Sequence, residues 1–471
     1  MNISQSLREI LVGFRRRFAV DPRALTAFRM ALGLCLVVDV ATRLTALTAF
    51  YTDNGALPRS VLQQLYPAVA PYSLLTVSGA TWVQFGLFAL TALAGVALLL
   101  GYRVRLAALL SLVLLVSVHV RNPFVLNAGD TLFRRLLFWS LLLPLGGRAI
   151  RANDRSAVSP VATAATVGAL LQVVAVYAAN ALVKLRGAQW LRGTAVRYVF
   201  ELDHITVGLG DALGGWPLLL TGLNYLWLAM LVGSPLLILS TGRHRTVLTT
   251  GFIGAHLGMA VTLRLGVFPL VCISGLLLFL PAEVWDGVER FVPDGVRSVR
   301  SRWPRRSVTS TLPAVHAVMR GIAILAVVTL LAVNAVAVGF VDAPAGTPDR
   351  IESRSWDMFA PSPTVQTWWY VAPATLESGE RIDALTGGPV DNARPADAAD
   401  RFPGMRWKKF LGDVRRQPRL RRSLATYFCT RWNRTHDDEM ERVTLTFVTE
   451  RTRLGASERV ERTDLGTYNC A

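Results

Sequence analysis

The chain is built around long apolar blocks, at 25–48, 80–101, 104–120, 131–147, 160–184, 216–240, 246–264, 266–282 and 317–341. Blocks of about 17–25 apolar residues match the hydrocarbon thickness of a bilayer, whereas a soluble chain needs polar surface to cover itself. With 52% hydrophobic and only 17% charged residues, the 471-residue chain reads as an all-α polytopic membrane bundle of about nine transmembrane helices. The blocks at 104–120 and 266–282 are short, and the tight connection at 264–266 reads equally as a break in one helix lining a cavity. The opening MNISQSLREILVGFRRRFAVDPRALTAF joins a long basic stretch to an apolar segment of spanning length without a small-residue cleavage site. It is therefore not a cleavable signal peptide, and no lipidation signal is evident.

A net charge of +18 invites a nucleic-acid partner, but the arginines sit in short segments between apolar blocks, as topology signals do. One set of loops holds Arg15, Arg16, Arg17, Arg23, Arg103, Arg105, Arg148, Arg151, Arg155, Arg243, Arg245, Arg297, Arg300, Arg302, Arg305 and Arg306. The alternate loops hold Arg59, Arg121 and Arg264, with an exception between Lys184 and Arg197. The first set is expected to face the cytoplasm, in a plasma membrane, and an odd number of spans then sends the C-terminal region outside. The expected organisation is a cytoplasmic basic N-terminus (1–24), a membrane domain (25–285), a cytoplasmic basic loop (286–316), a last transmembrane helix (317–341) and an extracytoplasmic domain (342–471).

That last region turns polar. RWKKFLGDVRRQPRLRRSLATYFCTRW carries helical spacing and RVTLTFVTERTRL alternates like a strand, so a small α+β domain is expected. Its basic run reads as a solvated face or as a contact for lipid headgroups. Cys35 and Cys272 lie inside spans and read as small hydrophobes, while Cys429 and Cys470 lie where a disulfide is permitted. No CxxC pair or histidine cluster points to a metal.

Ionisable groups at membrane depth are costly and ask for a partner or a function. In the first span, beside Arg29, Asp39 and Arg43 are four apart and can neutralise each other, as a tie within the bundle or in a polar cavity. Pro123, Asn127 and Gly129 break the chain before the next span, where Asp130 reads as a helix cap or as a partner for Arg134 on the same face. Lys184, at the end of the fifth span, reads on composition as a snorkelling lysine; held in a dry pocket it can instead act as a base. His256, midway along the seventh span, reads as an interhelical tie or as a proton-transfer or quinone-contacting group, with Arg264 and Phe268–Pro269 following. Asn127, Asp130, Lys184, His256 and Arg264 all fall at one depth, which suggests a single cavity beneath the C-terminal domain.

At these residues the chain resembles the vitamin K-dependent gamma-carboxylase family, in its bacterial form the horizontally transferred transmembrane domain. The likeness rests on FRMALGLCLVVDVATRL…FYTDNGALPR, on the N-x-G-D-x-x-x-R block at 127–134, and on K-L-x-x-x-x-W-x-x-G at 184–193. His256 with the later LGVFP, WDMFAPSP at 356–363 and YFCTRWNRTH add to it. It covers about the first 285 residues for the shared membrane domain and nearly the whole chain for bacterial members. The resemblance implies that a neutral Lys184 deprotonates a reduced vitamin K or menaquinol. The product reacts with oxygen to give a stronger base, which removes a γ-proton from a glutamate that then takes up carbon dioxide. It implies a supporting role for His256 near the quinone, and places Asn127, Asp130, Arg134, Arg264 and Phe268 around the cofactor. No histidine stands at the corresponding place in the 127–134 block, and the C-terminal region is far smaller than the carboxylase's lumenal one. The expected partners are the bilayer, a quinone and a secreted peptide substrate. The rival readings are a non-catalytic membrane protein of this fold, acting in peptide export, maturation or immunity, and a transporter. No inverted pair of Gly/Pro-broken helices supports the transporter.

Overall fold

The structure, a computed structural model, describes residues 3–145, 160–291, 313–342, 356, 358–452, 454 and 459–470. The basic residues Arg148, Arg151, Arg155, Arg297, Arg300, Arg302, Arg305 and Arg306 fall outside the described residues. The main helices are α1 (Ile3–Phe18), α2 (Pro22–Leu44), α3 (Thr81–Leu100), α4 (Val104–Arg121), α5 (Ala128–Leu142) and α6 (Ala164–Lys184). They continue with α7 (Pro217–Val232), α8 (Gly242–Thr262), α9 (Phe268–Leu276), α10 (Ala282–Arg290), α11 (Pro313–Ala337), α12 (Met405–Val414) and α13 (Pro418–Asn433).

Among the described residues five helices are long and apolar enough to cross a membrane: α2, α3, α4, α6 and α11. A sixth span results if the bent pair around α9 and α10, turned by 107°, is taken as one crossing. The remaining expected spans take other forms. The blocks at 131–147 and 216–240 hold α5 and α7, of 15 and 16 residues, and the block at 246–264 holds α8, whose 21 residues include Arg243 and Arg245. The connection at 264–266 breaks the helix: Leu263 turns extended and bridges to Thr206 before α9 begins.

Each start has a local cause. Asp21 accepts from the Arg23 amide ahead of Pro22, and Thr163 and Thr166 cap α6 reciprocally. Gly33 lets α2 and α3 approach closely, since a Cβ there would lie 2.5 Å from the Leu99 amide nitrogen. Arg29 finds its partners on the same seam, donating to the carbonyls of Leu98 and Leu99 at the C-terminus of α3. Cys35 and Cys272 are buried free thiols, as read from the sequence.

The C-terminal region is the small α+β unit expected. One antiparallel sheet is built on β4 (Met440–Arg451). Along one edge β1 (Gln366–Val371) and β2 (Pro373–Leu376) pair with it in succession, β5 (Arg459–Asn469) runs along the other edge, and β3 (Arg381–Asp383) adds to β2. Helix α13 packs on β4, and a Cys429–Cys470 disulfide ties it to the end of β5. The unit shares a core with one end of the bundle, where the ring of Phe50 lies 4.8 Å from that of Trp407 and 5.3 Å from that of Phe410.

Candidate functional site

Two buried polar sites lie at that shared end. The first centres on Arg43, whose guanidinium is wholly buried in α2. Its Nε donates to Asp39 at 2.7 Å, Nη1 to the Tyr51 hydroxyl at 2.8 Å and Nη2 to Asp130 Oδ1 at 2.7 Å. Asp39 is held again from the C-terminal unit, by Arg406 of α12 at 2.5 Å. His119 of α4 completes the group, with Nε2 at 3.2 Å from Asp130 and Nδ1 at 2.6 Å from Arg134 Nη1. His119 thus faces the Arg134 guanidinium on Nδ1, and on Nε2 both the Asp130 carboxylate and Arg43 Nη2, the latter at 3.0 Å.

Asp130 also fills the capping role: its Oδ2 accepts from the Asn127 amide at 2.8 Å while Asn127 Oδ1 accepts from the Asp130 amide at 3.2 Å. The expected Asp130–Arg134 partnership is replaced, because Arg43 and His119 take the Asp130 carboxylate and Arg134 turns to the far side of the imidazole. Asp39, His119 and Asp130 bring ligand atoms within 4.8 Å of one another, but the Arg43 cation already binds among them, so the group serves as an ion-pair network.

The second site joins Lys184 and His256. Tyr177, Asn180 and Lys184 recur at intervals of three and four along one buried face of α6. Lys184 ends its helix yet is only 1% exposed, so it does not snorkel. Its Nζ donates to the Met358 carbonyl at 2.6 Å and lies 3.9 Å from the centre of the Trp190 ring. What covers it is a segment that follows the last membrane helix in sequence.

His256, on α8, is fully buried among aromatic rings, with centroids at 5.8 Å for Tyr177, 5.7 Å for Trp227 and 5.9 Å for Phe268. Its Nδ1 lies 2.8 Å from the Phe252 carbonyl and must be the donor, which leaves the lone pair on Nε2. Nε2 is buried and has no hydrogen-bond partner among the described residues. Trp227 packs both on His256 and in the cluster around Trp190, so aromatic surface links the two candidate catalytic residues.

The other expected cofactor residues divide. Phe268 lines the His256 site. Asn127 and Asp130 are committed to the helix cap, with Asn127 also donating to the Leu265 carbonyl at 3.4 Å, and Arg134 belongs to the Arg43 network. Arg264 lies away from both sites, a third exposed, donating to Thr206 O at 3.4 Å and facing Asp397 at 3.5 Å. Sequence reasoning missed His119, Tyr177, Asn180, Trp190, Trp227 and Arg406 as site residues. The spacing of Tyr177 and Asn180 from Lys184 was a usable signal; nothing local announces Arg406. A cleft of about 550 Å³ lies elsewhere, between Asp53–Gly55 and Arg419–Ser423.

An acceptor atom buried without a donor is what a hydroxyl-bearing ring ligand would satisfy, and flat aromatic walls suit its head group. His256 Nε2 is such an acceptor, and the rings of Tyr177, Trp227 and Phe268 are such walls. No protein-family model, no curated protein and no solved structure matches this chain.

Proposed function

We propose that the chain is a membrane-embedded, gamma-carboxylase-like enzyme that uses a reduced quinone, vitamin K hydroquinone or menaquinol, to drive carboxylation or a related oxidative modification of a peptide or small substrate. The observation that carries this reading is the Nε2 lone pair of His256, without a partner among the described residues and buried in an aromatic cage that continues to the covered amine of Lys184. When bound, the reduced quinone supplies the electrons that convert oxygen into the strong base carboxylation requires. The chain's own residues have simpler tasks. His256 Nε2 accepts a hydrogen bond from the ligand hydroxyl and fixes its position, Lys184 Nζ takes the proton, and the rings of Tyr177, Trp190, Trp227 and Phe268 keep water out.

We further propose that the remaining apolar helices α5, α7, α8 and α9 complete a bundle of about nine crossings in a bacterial plasma membrane. The N-terminus would be cytoplasmic and the C-terminal unit extracytoplasmic. Two features support this orientation. Arg17, Arg23 and Arg245 gather with Leu239 and Asp286 at the end away from the C-terminal unit, as inside-facing positive charge does. The Cys429–Cys470 bond suits an oxidising compartment.

Quinone extracted from the purified protein, together with quinol-dependent product that Lys184→Ala abolishes, is the expected result. Protein carrying no quinone, with Lys184→Ala equal to wild type in cells, sinks the proposal and leaves a non-catalytic membrane protein of this fold.

A further inference from the structure

A residue that ends a long apolar helix ordinarily reaches water, so the burial of Lys184 comes from what lies over it. That layer is Trp356 with Met358–Pro361. Three of its carbonyls are each taken by a different side chain of the bundle. Asn180 Nδ2 donates to Trp356 O at 2.5 Å, Lys184 Nζ to Met358 O at 2.6 Å and Trp190 Nε1 to Phe359 O at 2.8 Å. The segment lies against the turn after α6 so closely that a Cβ on Gly187 would sit 1.5 Å from the Pro361 carbonyl oxygen. Phe359 holds a φ of 57°, in the left-handed region that a bulky side chain rarely adopts. Trp356 anchors the other end, buried, with the Arg135 guanidinium 4.9 Å from its ring centre and its Nε1 donating to Asn334 of α11 at 3.3 Å.

We propose that Trp356 and Met358–Pro361 form an intramolecular lid, closed in this structure, which must leave before a substrate can reach the Lys184 amine. Bonds from side chains to main-chain carbonyls can pass to any incoming acceptor, and Met358, Phe359 and Ala360 are only half-buried while Pro361 is exposed, so the lid is a surface layer rather than core. It ties access to Lys184 to the chain between α11 and the sheet. This inference rests on Lys184 being the reactive base, but its test does not depend on quinone.

The sequence contains only three lysines, Lys184, Lys408 and Lys409, so amine labelling of the full chain in lipid nanodiscs, read by mass spectrometry, reports Lys184 against internal controls. In wild type Lys184 should label at least about tenfold more slowly than exposed Lys409. Gly187→Val, which collides with Pro361, and Trp356→Ala, which removes the anchor without adding bulk, should bring Lys184 close to the Lys409 rate and speed amide hydrogen exchange over Met358–Pro361. The alanine variant reads the same quantity if the valine variant does not accumulate. Wild-type labelling of Lys184 as fast as Lys409 overturns the lid, as does protection unchanged in both variants. Lys184 uncovered in the variants, with no quinone bound to any form of the protein, would keep the lid and reject the proposed chemistry. Quinol-dependent product lost in Lys184→Ala, with labelling unmoved by either lid variant, would do the reverse.

Discussion

Arg43 is the residue whose loss the fold should register most. Its wholly buried guanidinium binds Asp39, Asp130 and Tyr51 at 2.7, 2.7 and 2.8 Å. Arg43→Met keeps the apolar stem and removes the charge, stranding two buried carboxylates. Breaking one side of a buried ion pair costs about 3–5 kcal/mol. The carboxylates retain some help, Asp39 from Arg406 at 2.5 Å and Asp130 from the Asn127 amide at 2.8 Å, which places the loss near the lower end, about 3 kcal/mol. At roughly 2 °C per kcal/mol for a large domain, the melting temperature of the detergent-purified protein should fall by about 6 °C. Arg43→Met with Asp130→Leu removes a stranded charge as well and should recover about 1–2 kcal/mol of that loss, a coupling that a double-mutant cycle measures directly. A single variant melting within about 1 °C of wild type, or a strictly additive pair, would refute the view that these charges form one network.

Other expectations are independent of it. His256→Phe keeps the aromatic packing and removes the Nε2 lone pair, so the protein should fold and melt normally while its extractable quinone falls. Cys429→Ser opens a bridge between residues 41 apart, which by chain entropy should cost about 4 kcal/mol and make the C-terminal unit protease-sensitive; an unchanged digestion pattern would count against it. The Lys408 amine, desolvated by burial and crowded by the charges of Lys409 and Arg264, falls to about 7 from its usual 10.5. The folded chain therefore binds that proton less tightly than the unfolded chain: stability rises as pH climbs from about 7 towards 10.5, and the penalty is fully present below 7. Lys408→Met should raise the melting temperature at about pH 6 and much less at about pH 10; an equal effect at both would contradict the shift.

How far the site could be read in advance depended on distance along the chain. The Asp39–Arg43 pair lies within one helical turn and was legible, as was the Asn127–Asp130 cap, because both need only local geometry. The expected Asp130–Arg134 pair was equally local and still failed: Arg43, 87 residues away in sequence, and His119 reach the same carboxylate from other helices. Lys184 was drawn towards water by its place at a helix end, and only the segment that folds back 174 residues later buries it. The expected spans at 131–147 and 216–240 were drawn longer than their helices, since apolar composition runs on through the turns that end them.

Composition by itself determined that this chain carries helices long and apolar enough to cross a membrane, that its C-terminal region is a separate kind of structure, and roughly where those helices lie. Transfer of apolar side chains out of water is close to additive along the chain, so it can be read block by block. Which polar groups meet was decided only by the tertiary structure. Asp39 and Arg406 stand 367 residues apart and bind at 2.5 Å, a pairing set by how helices and sheet pack around shared apolar surface rather than by any local pattern. The same packing placed an imidazole without a donor among the described residues and a lysine beneath a folded-back segment, and the proposed chemistry rests on those two placements.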